Sequence, residues 1–462
     1  MSVSDLDHTC DGGTKMNRGI KMEVLKEVVP EIKSFISDHG QRAKDVRKVA
    51  KSASNVRIKP GQAAKIAKSV HGDPEVNAVA QFHLIEAYIG KLVDADQGGT
   101  YIIDVDENHA EGRQFHHHYV ATSAAKAFWR HCHRGVVAVD ATFLTGPLKG
   151  TLFLCVTKDA NNQLVLLSFG QYQKENASNW AGFMRQVKRD FPGIRVTNCD
   201  KQKGLEHCRT AYGLLDIQFC RCAKHLIDNA VESKETGKVT SELENLCWGM
   251  VKAATADVYD YFMKKIAAKN QQLADWMDAA KDEYANHVFL AKNIHRFGDT
   301  TSNMAEQHTN ILMSQGIREM PIVDMTGKLI TYSSQAFVPR KENAAKMPDD
   351  KITQGAFKIV EERYAESSVF ETSFLSFSHS EIVAQVQIPS NPPRTFLVKL
   401  HQNGNRANAK CPCGVYREWG LHCNHVMDVL SEAQEKNSAY ARSWDWTDVK
   451  WADKVWHAST VL

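Results

Sequence analysis

Val136-Val137-Ala138-Val139-Asp140 is a short apolar run that ends on a carboxylate, and two more apolar runs follow, Thr151 to Val156 and Leu164 to Phe169. Asp159-Ala160-Asn161-Asn162, between the second run and the third, supplies a hairpin turn, because Asp and Asn side chains bond their own backbone and tolerate left-handed φ. Next, Trp180, Phe183, Met184 and Val187 recur at three- and four-residue spacing, which predicts an amphipathic helix. Pro192-Gly193 ends it, and a strand from Ile194 to Thr197 leads to Asp200. Beyond Cys222 and His225, residues 228–298 carry no strand signal and are rich in Ala, Lys and Glu, so they read as a helical insertion.

Three antiparallel strands with an acid on the first, a helix, and a further strand ending at a second acid follow the order of an RNase H-like fold. An Asp at a strand end is usually a cap, and Asp140, Asp200 or Glu306 seen singly would be structural. Together they suit something specific. Phosphodiester cleavage with two divalent ions needs carboxylates converging on metals roughly 3.5 to 4 Å apart. Strand ends hold two of these acids rigidly and a packed helix presents the third, a donor set suited to Mg2+ or Mn2+.

The 462 residues are enough for about three domains. With 43% hydrophobic and 24% charged residues the composition is that of globular protein, which excludes a largely disordered chain. Lys+Arg 57 against Asp+Glu 54 leaves a net charge of only +3, so nucleic-acid contact must come from a local patch. No apolar run approaches the roughly 18 residues of a membrane span, and the first residues lack the basic flank and apolar core of a secretory signal.

Residues 22–95 read as helical. Val24, Leu25, Val28, Val29, Ile32, Phe35 and Ile36 share one periodicity broken at Pro30; a later helix has Asp73 as its cap, Pro74 in first position and a stripe of Phe82, Ile85, Ile89 and Leu92. Between them Arg42, Lys44, Arg47, Lys48, Lys51, Arg57, Lys59, Lys65 and Lys68 face a single acid, Asp45. A solvated helix face accounts for such a block, and so does a phosphate-contacting surface.

The 11 cysteines divide into scattered singles in apolar contexts, such as Cys132, Cys155, Cys199 and Cys247, and one cluster. Cys411-Pro412-Cys413, nine intervening residues and Cys423-Asn424-His425 supply three thiolates and an imidazole. That is a complete tetrahedral zinc shell with no open position, hence a structural site in a reducing compartment. The cluster follows a Thr395 to Leu400 strand and leads into a Val426 to Ala433 helix, and it resembles the SWIM-type zinc finger, whose pattern assigns the fourth ligand to His425 and not to His422.

Residues 116–230 resemble the Mutator-like transposase family. The resemblance rests on Val139-Asp140-Ala141-Thr142-Phe143, Lys149-Gly150-Thr151-Leu152, Lys158-Asp159-Ala160-Asn161-Asn162, Asn179-Trp180, Asp200-Lys201-Gln202-Lys203-Gly204 and Cys222-Ala223-Lys224-His225, in that order. Thr301-Ser302-Asn303-Met304-Ala305-Glu306 is similar to the family's third acidic motif, with Asn310 one residue later than usual and Ala141 in place of the usual Gly. The resemblance implies a nuclear DNA transposase, or a domesticated descendant. Its catalytic metal ligands would be Asp140, Asp200 and Glu306, its partner double-stranded DNA at transposon ends and target, with no membrane and with a homo-oligomer on DNA as one option. A catalytically silent DNA-binding regulator, or a zinc-finger adaptor, is the alternative. Cys222 and His225 would then be active-site support or simply structural, with Cys220 or Cys208 as conceivable extra ligands. His116-His117-His118 reads as strand or sheet edge; by the resemblance His8-Thr9-Cys10 would be the remnant of an N-terminal zinc-binding domain, and a coincidental His and Cys in a frayed terminus is the alternative.

The expected organisation is α/β plus α. A tail at 1–21 precedes a helical N-terminal domain with its basic patch at 22–115 and an RNase H-like core with an all-helical insertion at 116–320. A connecting region at 321–394, a small C-terminal SWIM zinc finger at 395–435 and a tail at 436–462 complete it.

Overall fold

The computed structural model describes residues 47, 74–110, 112–200, 213–214, 216–344, 346, 348, 351–390, 393–403, 406–436, 444, 448–452 and 456–457. The chain divides into two compact units, residues 1–84 and 85–462. Of the basic block only Arg47, helical and exposed, is described; the other basic residues, the Val24 to Ile36 periodicity, the Asp73 cap and the His8-Thr9-Cys10 motif lie outside the described residues. Helix α1 (Pro74–Ala95) begins at the proline, as its fixed φ favours.

The larger unit is built on a seven-stranded sheet. Strands β1 (Thr100–Asp106) and β2 (Gln114–Ala121) form a hairpin and are followed by helix α2 (Ser123–Cys132). Strands β3 (Val136–Phe143), β4 (Thr151–Lys158) and β5 (Leu164–Tyr172) are an antiparallel meander, α3 (Ala177–Asp190) crosses over, and β6 (Val196–Cys199) and β7 (Gln218–Arg221) complete the sheet. The order is β1-β2-β5-β4-β3-β6-β7, with β6 and β7 parallel to β3. From β5 to β7 this is the RNase H-like topology, and the β1–β2 hairpin extends it at the β5 edge.

Helices on both faces explain why β3, β4 and β5 read as continuous apolar runs and do not alternate. Trp180, Phe183, Met184 and Val187 of α3 are wholly buried, Asn176 Oδ1 caps that helix on the Asn179 N–H at 2.9 Å, and Asn162 takes the positive φ of 62° that the β4–β5 turn needs.

The sheet starts earlier than residue 116. Tyr101, Ile102, Ile103 and Val105 make β1 a strand, so residues 100–115 are not part of a helical domain. Gly98-Gly99 ahead of that β-branched run was the signal for it.

The insertion is helical throughout: α4 (Ala223–Glu232), α5 (Ser241–Lys252), α6 (Ala256–Ala267), α7 (Gln271–Ala279), α8 (Lys281–Tyr284) and α9 (Asn286–Ala291) pack around Leu226, Cys247, Met250, Ile266, Leu273 and Met277. Helices α10 (Asn303–Ser314), α11 (Ile322–Ala344) and α12 (Gln354–Ser367) follow. A second, antiparallel sheet then forms from β8 (Glu371–Phe377), β9 (Glu381–Ile388), β10 (Arg394–Asn403) and β11 (Arg406–Lys410), with α13 (Val415–Trp419) and α14 (Asn424–Lys436) after it.

In β10 burial alternates strictly. Phe396, Val398 and Leu400 point inward into a core shared with Val426, Val429, Leu430 and Ala433 of α14, Gln402 is buried with its Nε2 donating to the His379 carbonyl, and the intervening residues face solvent. The finger is therefore larger than 395–435. It draws β8 and β9 from the expected connecting region, and its core contains Trp444 and Trp451 from the expected tail, both wholly buried. No helix among the described residues is long and apolar enough to cross a membrane.

The two sheets are joined through the residues ahead of α10. Arg417 Nη2 donates to the Leu290 carbonyl at 2.9 Å and Gly298 N–H donates to Glu418 Oε1 at 3.3 Å, while within the C-terminal part Trp456 Nε1 donates to the Trp419 carbonyl at 2.6 Å. Burial pushes the Glu418 carboxyl up to about 7 against the opposing pull of Arg296 and the Gly298 N–H. Gly298 itself has a φ of +79°, and a β-carbon there would overlap the Trp419 ring. Gly298→Ala is expected to destabilise the chain by at least ~2 kcal/mol, combining left-handed strain with displacement of the indole. Urea melts within about 0.5 kcal/mol of the parent would contradict this interlock.

Candidate functional site

Parallel pairing sets the site. Ala138 of β3 lies beside Asn198 of β6, so Asp140 and Asp200, each two residues further on, reach the same level. Cys199 of β6 pairs with Arg221 of β7, and the Cys222 N–H donates to the Cys199 carbonyl at 2.9 Å, which brings Cys222 level with Asp200. Two acids and a thiol thus stand level where the parallel pairing of β3, β6 and β7 gives out, the side of the sheet where open α/β folds place their ligands; Asp140 itself is inside β3, which runs on to Phe143 paired with β4, and not at the strand's end as its apolar run suggests.

Glu306 comes from a helix packed across β3 and β4. Thr309 Oγ1, one turn along α10, donates to Asp140 Oδ2 at 3.2 Å, and Ser302 Oγ donates to Glu306 Oε1 at 2.8 Å. The loop ahead of α10 is stitched to three elements of the core. Asn198 Nδ2 donates to the Asp299 carbonyl at 3.0 Å, the Ala223 N–H donates to the Thr300 carbonyl at 3.0 Å, and Lys158 Nζ meets Asp299 Oδ1 at 2.6 Å. Arg296, fully buried, donates to Asn286 Oδ1 and to Cys220 Sγ, which ties the end of the insertion to β7.

His225 stands between two of the acids. Its Nδ1 lies 3.5 Å from Asp200 Oδ1 and its Nε2 lies 3.8 Å from Glu306 Oε1. The His225, Asp200 and Glu306 side chains keep 34%, 38% and 30% of their exposure, so solvent and a large ligand can reach them. Asp140 is deeper. Burial raises its carboxyl to about 6, the Ala141 N–H and Thr309 hydroxyl oppose that, and the facing charges of Glu306 and Glu175 add to it. Like charges turned toward a buried carboxyl are what a bound divalent cation would offset.

Glu175, which sequence reasoning missed, sits in the loop after β5, where it accepts a hydrogen bond from Trp180 Nε1 at 3.1 Å.

Among the described residues, two groups of donor atoms lie within 4.8 Å of one another: Cys222, His225 and Glu306, and Cys411, Cys413, Cys423 and His425. Asp140 and Asp200 belong to neither group. Cys220 and Cys208 are the conceivable extra ligands for Cys222. Cys220 is engaged by Arg296 Nη1 at 2.7 Å, and Cys208 lies outside the described residues. The histidine run is structural: His118 is fully buried, close to Thr326 Oγ1 at 3.1 Å, and burial holds its pKa down to about 3.

The second group is built by a turn and a helix start. Cys411 follows β11, Gly414 at φ 76° closes the turn with its N–H on the Cys411 carbonyl, and Cys423 and His425 flank the first turn of α14. Cys411 Sγ is 3.5 Å from His425 Nδ1. Phe370 and Phe396 stack on that imidazole, and Cys413 and Cys423 are buried in the apolar core. A tetrahedral ion with ~2.3 Å bonds to sulfur has ligand edges of roughly 3.8 Å, so this donor set and its spacing fit zinc. His422 is also buried but its ring is outside the group, against Tyr416 and Trp451.

Residues 151–311 match the family model described as transposase, Mutator family. That match starts at β4 and ends in α10, so it takes in Asp200, Cys222, His225 and Glu306. No curated protein matches the chain.

Proposed function

We propose, proceeding from the Mutator-family transposase domain that the chain carries over residues 151–311, that it is a nuclear, metal-dependent DNA transposase. What supports this reading, beside the domain match, is that the β3–β6 register sets Asp140 and Asp200 level and that Glu306 is carried by the helix packed beside them, although the three carboxylates are not grouped within 4.8 Å of one another.

Those three carboxylates would hold Mg2+ or Mn2+, which when bound supplies Lewis acidity to the attacking and leaving oxygens. A water oxygen bonds to phosphorus as the bond to the 3′-oxygen breaks, freeing a 3′-hydroxyl. That hydroxyl then attacks a target phosphodiester, and the target's own 3′-oxygen leaves. Thr309 holds the Asp140 carboxyl in place and Ser302 holds that of Glu306, which fixes the two acids before substrate arrives. Arg42, Lys44, Arg47, Lys48, Lys51, Arg57, Lys59, Lys65 and Lys68 would neutralise DNA phosphates, and Cys411, Cys413, Cys423 and His425 would hold a structural zinc.

The test is strand cleavage by the full zinc-loaded chain on duplexes taken from the DNA on either side of its gene, where the proposal requires terminal inverted repeats. New 3′-hydroxyl ends are expected with Mg2+ or Mn2+ and not when EDTA removes them. A chain that binds these duplexes but cuts them with neither ion would overturn the proposal.

A further inference from the structure

Cys222 and His225 are left over from a phosphodiester mechanism that uses hard oxygen ligands. Cys222 occupies the cap position of α4, yet its thiol makes no capping hydrogen bond. His225 lies three residues on, the spacing that puts two side chains on one helical face. Its Nδ1 is buried and makes no hydrogen bond. The Cys222 sulfur, an imidazole nitrogen of His225 and a carboxylate oxygen of Glu306 all lie within 4.8 Å of one another, and Asp200 Oδ1 is 3.5 Å from the Nδ1 atom. Backbone bonds set this spacing, since the Cys222 and Ala223 N–H groups are tied to Cys199 and to Thr300.

We infer that Cys222, His225 and Glu306 form a second metal site, distinct from the Cys3His cluster, that takes a borderline-soft divalent ion such as Zn2+ or Co2+. One thiolate, one imidazole and one carboxylate select such ions over Mg2+, which prefers oxygen alone and keeps its waters. Three protein ligands with about a third of Glu306 and His225 exposed leave a fourth position for water, which separates this site from the closed shell at Cys411.

The site also has a regulatory consequence, which rests on the proposed function. Glu306 is shared, so an ion held by the thiol and imidazole withdraws that carboxylate from the Mg2+ set. Zn2+ therefore inhibits Mg2+-supported cleavage.

Cobalt tests the site without reference to activity. Co2+ added to the full chain with its finger already zinc-filled is expected to bind at about one equivalent, with visible d–d bands and a near-ultraviolet sulfur-to-cobalt charge-transfer band. Cys222→Ser should abolish the charge-transfer band, and His225→Asn should weaken binding by more than the roughly 100-fold that outer partners of a metal command. Absence of the band in the parent chain, or its survival in Cys222→Ser, overturns the site. Should Cys222→Ser fail to fold by circular dichroism, His225→Asn and Glu306→Gln carry the test, and unchanged cobalt bands in both overturn it.

Zinc inhibition of cleavage, relative to each variant's own zinc-free rate, should weaken at least about tenfold in Cys222→Ser, by the affinity lost with a ligand. Cleavage indifferent to Zn2+ overturns the regulatory consequence. Intact cobalt bands on a chain that never cuts DNA overturn the proposed function and leave the site standing.

Discussion

Asp140→Asn is expected to lower Mg2+-dependent strand cleavage at least about 1,000-fold while leaving the chain as stable as the parent. A metal ligand contributes several kcal/mol of charge stabilisation in the transition state, and ~4 kcal/mol corresponds to three decades of rate. Asparagine keeps the shape of the side chain and an oxygen to accept the Thr309 hydroxyl, so the contact between β3 and α10 survives. It removes a carboxyl whose ionised form is disfavoured, chiefly by burial and also by facing Glu306 and Glu175. Folding therefore loses nothing at neutral pH, and a slight gain is consistent with relief of like-charge repulsion. Duplex affinity should hold, since the proposed phosphate contacts are the basic residues of the Arg42 to Lys68 block. Parallel cleavage, filter-binding and thermal-melt measurements separate these effects. Cleavage above about one-tenth of the parent rate would take Asp140 out of the metal set, and a large drop in melting temperature would make the residue structural.

Asp140 and Asp200 were legible because strands carry their own signature. Two apolar runs each leading to an acid, with a helix between them, describe parallel neighbours, and the pairing of Ala138 with Asn198 is the register that sets the two acids level, although β3 runs on past Asp140 to Phe143, which its apolar run does not reveal. The hairpin at Asp159 to Asn162 and the buried face of α3 were legible for the same reason, since each depends on residues close in sequence.

What the sequence withheld is long-range. Periodicity on α4 says that Cys222 and His225 share a face, but not that Glu306, carried by a helix beyond the whole insertion, lies against them. Nor does it say that the finger docks on residues 290–298 through Arg417, Glu418 and Trp419. The C-terminal segment is not the tail its sequence pattern suggests. It offers no periodicity, yet Trp444, Trp451 and Trp456 are wholly buried, and indoles crowded into so short a stretch seldom belong to a solvated tail. Strand β1 directly follows a long helix, and its signal is confined to the residue types of Tyr101, Ile102, Ile103 and Val105.

Cys413→Ser should remove one zinc per chain and unfold the C-terminal sheet, leaving the seven-stranded sheet in place. Structural zinc contributes about 10 to 16 kcal/mol of apparent binding free energy in small fingers, as much as the whole stability of an ordinary domain. Cys413 and Cys423 sit in the same apolar cluster as Ile382, Val398, Val426 and Trp451. Without the ion, buried sulfurs and an imidazole must find partners among aromatic and aliphatic neighbours that offer none. The first turn of α14 then loses its pin to the end of β11, and with it the helix face that covers β9 and β10. Loss should spread one step further, because α13 lies inside the zinc loop and holds the Leu290 carbonyl and the Gly298 N–H. Hydrogen exchange is therefore expected to quicken throughout β8–β11 and α14 and, to a smaller degree, across residues 290–298, while amides of β3, β4 and β5 keep their protection. Metal analysis and exchange on the same sample decide the matter. Unchanged zinc content would remove Cys413 from the shell, and zinc loss with full protection of β9 and β10 would show that the sheet, with Trp444 and Trp451 in its core, holds this domain together without the ion.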